Sequence, residues 1–255
     1  MSDSVQNSHS HSNSGESHST ECPFEILGRE TVWRGKWMAV DRVRFRPATG
    51  CEKFVKSETS IPNNPNSGSE NREIPENSAC QVWECAYRVS KPKTAPVDGV
   101  SIIAILSDPA REGSQKSKQL ILIKQFRIPL MAYCIEFPAG LIDANETVEQ
   151  AALRELKEET GYVGGRVSQL AACVGARLPL DPGLSNSDVQ FAQVQVDGSN
   201  PANRAPQQNL DAGEHISVLL VPLNQLSERL NGFVAQGLQV EASVWAFALG
   251  LDFVA

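Results

Sequence analysis

Residues 140–162, GLIDANETVEQAALRELKEETGY, place four acids and an arginine at spacings suited to metal chemistry. Glu155 and Glu159 are four residues apart and share a face if the segment is helical, with Glu158 on the same flank. Three carboxylates on one patch repel one another unless a cation neutralises them. Oxygen-only ligands suit the hard divalent ions Mg2+ and Mn2+. Mg2+ takes few protein oxygens and completes its shell with water and substrate phosphates, so the patch fits a phosphate-bridging site better than a closed structural one. Arg154 can pair with the separate acid Glu146 and hold the preceding loop against the helix. A Glu–Glu pair alone is commonly a solvated helix face. Here Gly140, Glu146, Arg154, three helix acids and Gly161 stand together in one register.

These residues need a helix preceded by a tight loop. Thr147 and Gln150 have capping-box spacing, and Val148, Ala151, Ala152, Leu153 and Leu156 make an apolar stripe at helical period. Gly161 suits the left-handed residue that ends a helix. Upstream, Trp33–Phe45 alternates apolar and polar positions, with Pro47 and Gly50 as a turn, and Gln81–Val89 alternates again and should pair with it. Val97–Leu106 and Gln119–Gln125 are predicted as a core hairpin, and 135–140 as a short strand breaking into a loop. Val189–Val196 and Ser217–Val221 are further strands, and Leu223–Val234 and Val240–Leu251 two more helices. Strands on both sides of a central helix predict a mixed α/β (α+β) domain.

The 255 residues, 41% of them hydrophobic, can build one sizeable core. The net charge of -7 argues against a nucleic-acid partner, whereas a bound cation still allows a phosphate-bearing small molecule. None of the six cysteines forms a C-x-x-C pair, which predicts free thiols in a reducing compartment. No apolar stretch is long enough to span a membrane and no secretory signal is present, so the expected location is cytoplasmic and/or nuclear. Residues 1–23 read as a disordered Ser/His/Asn-rich tail, and 57–79 as an exposed insertion with almost nothing to bury.

The segment Gly140–Tyr162 resembles the Nudix box, with every fixed position filled. The resemblance implies a Nudix fold: mixed β-sheets sandwiched between helices, with an N-terminal antiparallel β-sheet region used in dimerisation. On it, residues 24–96 would be the N-terminal β region and 97–255 the Nudix hydrolase domain. It implies a structural role for Gly140, Glu146, Arg154 and Gly161. It further implies metal ligation by Glu155, Glu159 and Glu158 with the carbonyl of Ala139, and Mg2+ as cofactor, with Mn2+ as a substitute.

Further segments are similar to the ADP-ribose-cleaving branch of that family, the ADP-sugar pyrophosphatases. They are Gly35-Lys36-Trp37, Val82-Trp83-Glu84, Lys124-Gln125-Phe126-Arg127, YCIEFPAGLID leading into the box, and Asp181-Pro182-Gly183 beyond it. The similarity runs from about Trp33 to Leu249, lapses over the tail and insertion, and is looser at 164–179, where this chain is longer. Through it, Trp37 and Trp83 would sandwich adenine across a homodimer, which suits a flat apolar base. Glu84 would accept from the adenine amino group, and Arg88 and Arg127 would grip phosphate or ribose oxygens with their bidentate forks. Leu141 and Asp181 complete the substrate set. Two carboxylates compete as the base that activates water, Glu214 in a Gly-containing loop and Glu158 on the metal helix. Relatives favour the loop position, and His215 is a weaker candidate.

The activity so implied is Mg2+-dependent hydrolysis of ADP-ribose and related ADP-sugars to AMP and ribose 5-phosphate. The alternatives are hydrolysis of oxidised nucleoside diphosphates such as 8-oxo-dGDP, because a stacking slot accepts more than one purine, and a non-catalytic nucleotide-binding module. Degenerate modules lose box carboxylates, and this chain has lost none.

Overall fold

The computed structural model describes residues 22–48, 80–92, 94–107, 118–168 and 177–254. The expected insertion over 57–79, the tail before Cys22, Cys51, Cys173 and the middle of the long 164–179 segment lie outside the described residues. Among the described residues the chain divides into two compact units. One takes residues up to Glu30 and Arg42–Glu84, the other Thr31–Asp41 and everything from Cys85 onward.

The first three strands, β1 (Phe24–Arg34), β2 (Met38–Pro47) and β3 (Gln81–Arg88), are hydrogen-bonded in the order β1–β2–β3. Within the smaller unit Phe24 and Phe45 meet edge to face at 5.0 Å, and Arg42 pairs with Glu84 at 3.1 Å. The expected single run from Trp33 to Phe45 is corrected here. The strand stops at Arg34, Gly35 N donates to Met38 O at 2.9 Å, and β2 continues through Pro47. Most β1 side chains are exposed on both faces, so its sequence carries no alternation to read.

The larger unit is built on one nine-stranded sheet. Its strands are β4 (Gly99–Ser107), β5 (Gln119–Arg127), β6 (Ala132–Glu136), β7 (Ala139–Leu141), β8 (Val167–Ser168), β9 (Leu178–Pro179), β10 (Asp188–Asp197), β11 (Ile216–Pro222) and β12 (Gln239–Val240). The order is β12–β6–β5–β4–β10–β8, with β11 also on β5, β7 on β4 and β9 on β10. Three helices, α1 (Val148–Thr160), α2 (Leu226–Ala235) and α3 (Ala242–Val254), complete it. The period-two alternation of the strands decides which helix each side chain meets. Val100, Ile102, Ala104 and Ile121 pack with Val148, Ala151, Ala152 and Leu156 of α1. Ile103, Leu120 and Leu122 point the other way, onto Leu226 and Leu230 of α2 and Val244 and Ala248 of α3. The sheet is therefore covered on both faces, as the mixed α/β expectation requires.

The predicted hairpin forms, with Ala104 opposite Ile121, and β10 runs parallel to β4 with Val189 opposite Gly99. Two expectations shift. Residues 135–140 make two strands rather than one, because β6 pairs with β5 while β7 crosses to β4, with Phe137 and Pro138 between them. The last helix begins at Ala242 rather than Val240, because Gln239 and Val240 are first spent in a parallel pair with Cys134 and Ile135. Among the described residues no helix is long and apolar enough to cross a membrane, and Cys22, Cys80, Cys85 and Cys134 are free thiols.

One irregularity positions the site. The edge of β4 facing away from β10 is shared: Ala104–Leu106 pair with β5, but Gly99–Ser101 pair with β7. The sheet forks at that point. The loop after β7 leads straight into α1, so the acidic face of α1 lies beside the opening.

Candidate functional site

α1 forms as the sequence predicts. Thr147 Oγ1 accepts from Gln150 N at 3.2 Å and Gln150 Oε1 accepts from Thr147 N at 2.8 Å, closing the capping box. At the far end Gly161 adopts φ 77°, and a Cβ there would overlap Gln207. Both ends are thus fixed, and with them the phase of the carboxylates.

Arg154 organises the acids. Its Nε and Nη2 donate to both Glu146 oxygens at 2.9 Å, Nη1 donates to Glu155 at 2.7 Å and Glu158 at 3.1 Å, and Nη2 also reaches Leu141 O at 3.0 Å. The guanidinium holds Glu146 below the usual carboxylate range. Its own pKa is raised, chiefly by Glu146. Glu159 Oε2 accepts from Ala139 N at 2.9 Å. Gly140 leaves no room for a side chain, because a Cβ would overlap the Glu155 carboxyl group.

Glu159 is only 4% exposed. Burial pushes its pKa up to about 8, and the neighbouring Glu155 and Glu214 add to the rise, against the Ala139 N–H and Arg127. Burial likewise raises Glu155, with Arg154 opposing and Glu158 and Glu214 adding. The four carboxylates Glu155, Glu158, Glu159 and Glu214 therefore form an electrostatically unfavourable group with one arginine among them. Among the described residues no three acids, histidines or cysteines converge as a closed metal cage. An open Mg2+ site needs only one or two carboxylates and takes its other oxygens from water and phosphate. The donor set is all oxygen, and its repulsion is of the kind a cation relieves. Among the described residues Gln125 Oε1 is buried without a partner, and alternation puts it on the face of β5 that bears Ile121.

A cavity of about 330 Å3 opens at the fork, within the range of small-molecule sites. Of the expected residues, Arg88, Arg127, Ala139, Gly140 and Leu141 line it. Glu155, Glu158, Glu159 and Glu214 are not in its wall, nor are Trp37, Trp83, Glu84 and Asp181. The Asp181 carbonyl accepts from Leu184 N and Ser185 N at 3.1 and 2.9 Å, forming a turn, and Ala86 N donates to Leu184 O at 2.9 Å, docking that turn on β3. Trp37 and Trp83 are 62% and 54% exposed, and Lys36 Nζ lies 4.5 Å from the Trp37 ring centre.

Sequence reasoning missed four acids in the cavity wall: Asp98, Glu136, Asp188 and Glu241. Arg127 Nε donates to Glu136 at 2.9 Å and Nη2 at 2.6 Å, which raises the arginine's pKa. Asp98 and Asp188 exchange backbone-to-carboxylate hydrogen bonds at 2.8 and 3.0 Å and share Lys91, while Arg177 pairs with Asp188. Burial opposes ionisation of Asp188, but these donors win and lower its pKa. Arg88 and Glu241 remain as the cavity's two charged residues without an ion pair among the described residues. Asp98 just before β4, Glu136 on β6, Asp188 on β10 and Glu241 just before α3 all lie outside the helical motif, and the first three meet their partners only in the folded chain, so no local pattern marked them.

The profile of the NUDIX domain matches residues 98–239. A nudix hydrolase of Caenorhabditis elegans is 38% identical over 233 residues, 91% of this chain and 87% of that one. The ADP-sugar pyrophosphatase of Mus musculus is 33% identical over 227 residues, 89% and 86% of the two chains. The ADP-ribose pyrophosphatase of Saccharomyces cerevisiae is 38% identical over 169 residues, 66% and 69%. The crystal structure of an ADP compounds hydrolase superposes with a TM-score of 0.52 at 20% identity, covering 84% of this chain and 86% of that one, a likeness of fold.

Proposed function

The chain belongs to the Nudix hydrolase family, and from that membership we propose that it hydrolyses the diphosphate of ADP-ribose and related ADP-sugars, giving AMP and ribose 5-phosphate, with Mg2+ as cofactor. The observation that carries the reaction class is the mutually repelling pair of half-buried Glu155 and buried Glu159, set beside a cavity whose wall holds two arginines. The substrate rests on the relatives named for ADP-sugar and ADP-ribose.

In this reading Glu155 and Glu159, with Glu158 and the Ala139 carbonyl, hold the cation. When bound, Mg2+ neutralises the diphosphate and lowers the pKa of the attacking water. Arg154 keeps Glu155 and Glu158 oriented and ties them to Glu146. Arg88, unpaired among the described residues, grips phosphate. Arg127 contributes a fork already aligned by Glu136. Glu214, whose charge adds to the raised pKa of both Glu155 and Glu159, is the base in this reading, which leaves Glu158 to the cation and to Arg154. Trp37 and Trp83 stack adenine, Glu84 accepts from its amino group, and Leu141 and Asp181 meet the terminal ribose. Incubation with Mg2+ and a panel of nucleoside diphosphate sugars, with 8-oxo-dGDP included, should release AMP and ribose 5-phosphate fastest from ADP-ribose. Intact ADP-ribose in the presence of folded protein would refute the assignment. Faster 8-oxo-dGDP cleavage would move the substrate to oxidised nucleotides.

The adenine slot as proposed needs two subunits, so a homodimer with the N-terminal strands at its interface is part of the reading. In the smaller unit Ile26 and Leu27 of β1 and Val82 and Trp83 of β3 are each at least 40% exposed in the single chain, apolar side chains that a second copy could cover. Light scattering on the active protein should give twice the 27.7 kDa of one chain; an active monomer rules the slot out.

A further inference from the structure

The C-terminal end of α1 leaves carbonyls that the helix cannot satisfy. Two are taken by one short stretch that follows the 3-10 turn at Pro201–Asn203. Asn209 N donates to Glu158 O at 2.8 Å. Gln208 Nε2 donates to Glu159 O at 2.6 Å and also to Ile216 O at 3.2 Å. Both partners of the Gln208 amide are acceptors, so only its NH2 end can face them and the orientation of the side chain is set by chemistry. Gly161 belongs to the same contact, because any Cβ there would overlap Gln207, and the stretch lies directly on the helix cap.

Glu214 lies between the two ends of this clasp. Gln208 and Ile216 bracket the segment that bears it, and the Gln208 amide joins those ends to each other and to the backbone of Glu159. The interior of the segment is bonded to itself: Glu214 N donates to Asp211 O at 3.1 Å, and Asp211 N donates to Glu214 Oε2 at 3.0 Å. Gly213, at φ 98°, would meet nothing within 4 Å if it carried a Cβ. Among the described residues, side-chain anchorage of this segment to α1 comes from Gln208. The Asn209 bond is backbone to backbone and survives any side-chain change.

We propose that Gln208 is a positioning residue for the reaction, setting the segment that carries Glu214 against the helix that carries Glu155 and Glu159. The proposal rests on the reading of Glu214 as base. Gln208 touches neither substrate nor the carboxylates; it acts by fixing the distance between two pieces of backbone. Loss of the clasp should leave binding intact and lower the rate of the chemical step, because the base spends less time in reach of the water.

A double-mutant cycle tests it, with wild type, Gln208→Ala, Glu214→Gln and the double variant assayed at saturating Mg2+ for kcat and KM on ADP-ribose. Glu214→Gln should cost about a hundredfold in kcat. Gln208→Ala should cost about tenfold with KM within about twofold, and the double variant should be no slower than Glu214→Gln alone. Gln208→Lys, whose ammonium can donate to both carbonyls, should recover most of the rate, and Gln208→Glu, which turns a carboxylate on them, should not. Wild-type kcat in Gln208→Ala overturns the proposal. So does the same loss in both backgrounds, since Gln208 would then act through the helix and not through Glu214. Thermal melts of the four proteins identify any rate loss that is only unfolding. Wild-type kcat in Glu214→Gln itself overturns the base assignment, and the inference with it, a result distinct from failure of the Gln208 arm alone.

Discussion

Replacing Glu159 by Gln should lower kcat by about a thousandfold or more while making the metal-free protein more stable at alkaline pH. Both effects follow from one position. Glu159 is buried, accepts from Ala139 N at 2.9 Å and has its pKa pushed to about 8, first by burial and then by Glu155 and Glu214. A glutamine keeps the shape and can still accept from Ala139 N, so the substitution removes charge and little else. In the unfolded chain the group titrates near its ordinary value of 4.5. Without metal the folded state binds the Glu159 proton more tightly than the unfolded chain does. The stability this supplies is full below about pH 4.5 and is lost as pH rises through about 8. A shift of that size corresponds to a few kcal/mol. The variant has no such loss, so the two proteins should melt alike near pH 4.5 in chelator and diverge as pH rises, with Glu159→Gln the more stable at pH 8 and above. Mg2+ should raise the wild-type melting temperature at pH 8 and leave the variant nearly unmoved. Wild-type turnover in Glu159→Gln, or parallel melting curves across this range, would remove Glu159 from the metal site.

α1 was legible because its signals are local: a capping box at Thr147 and Gln150, a stripe from Val148 to Leu156, a glycine at its end, and acids whose spacing has meaning only on a helix. The buried strands β4 and β5 were legible because burial leaves an apolar run. Where a strand buries little, as β1 does, the same rule finds nothing. Partnerships formed across the sheet were not legible at all. Arg127 was expected to grip phosphate or ribose oxygens, yet its partner in the single chain is Glu136, brought to it on the neighbouring strand by the β5–β6 pairing. Glu84, expected at the adenine edge, is paired with Arg42 of β2 in the single chain. Gln208 carries no motif, and its bonds to the carbonyls of Glu159 and Ile216 exist only in the folded chain.

Gly140→Ala should inactivate the protein almost as completely as loss of a metal ligand, by about a hundredfold or more in kcat, although it adds one methyl group. The added Cβ would overlap the Glu155 carboxyl group, so one of three things must move. The backbone of Gly140 is held in β7, opposite Val100. α1 cannot retreat without opening the apolar contacts of Val148, Ala151, Ala152 and Leu156 with the sheet. The Glu155 side chain is therefore what yields. In turning away it breaks its 2.7 Å hydrogen bond to Arg154 and leaves the face it shares with Glu159. Overpacking of this kind costs about 1–3 kcal/mol, so the variant should still fold, melting a few degrees lower. The distinguishing result is that more Mg2+ is needed for half-maximal activity, with the circular dichroism spectrum unchanged. Gly140→Ala with wild-type kcat and Mg2+ dependence would show that Glu155 can leave its place without loss, and that it holds no metal.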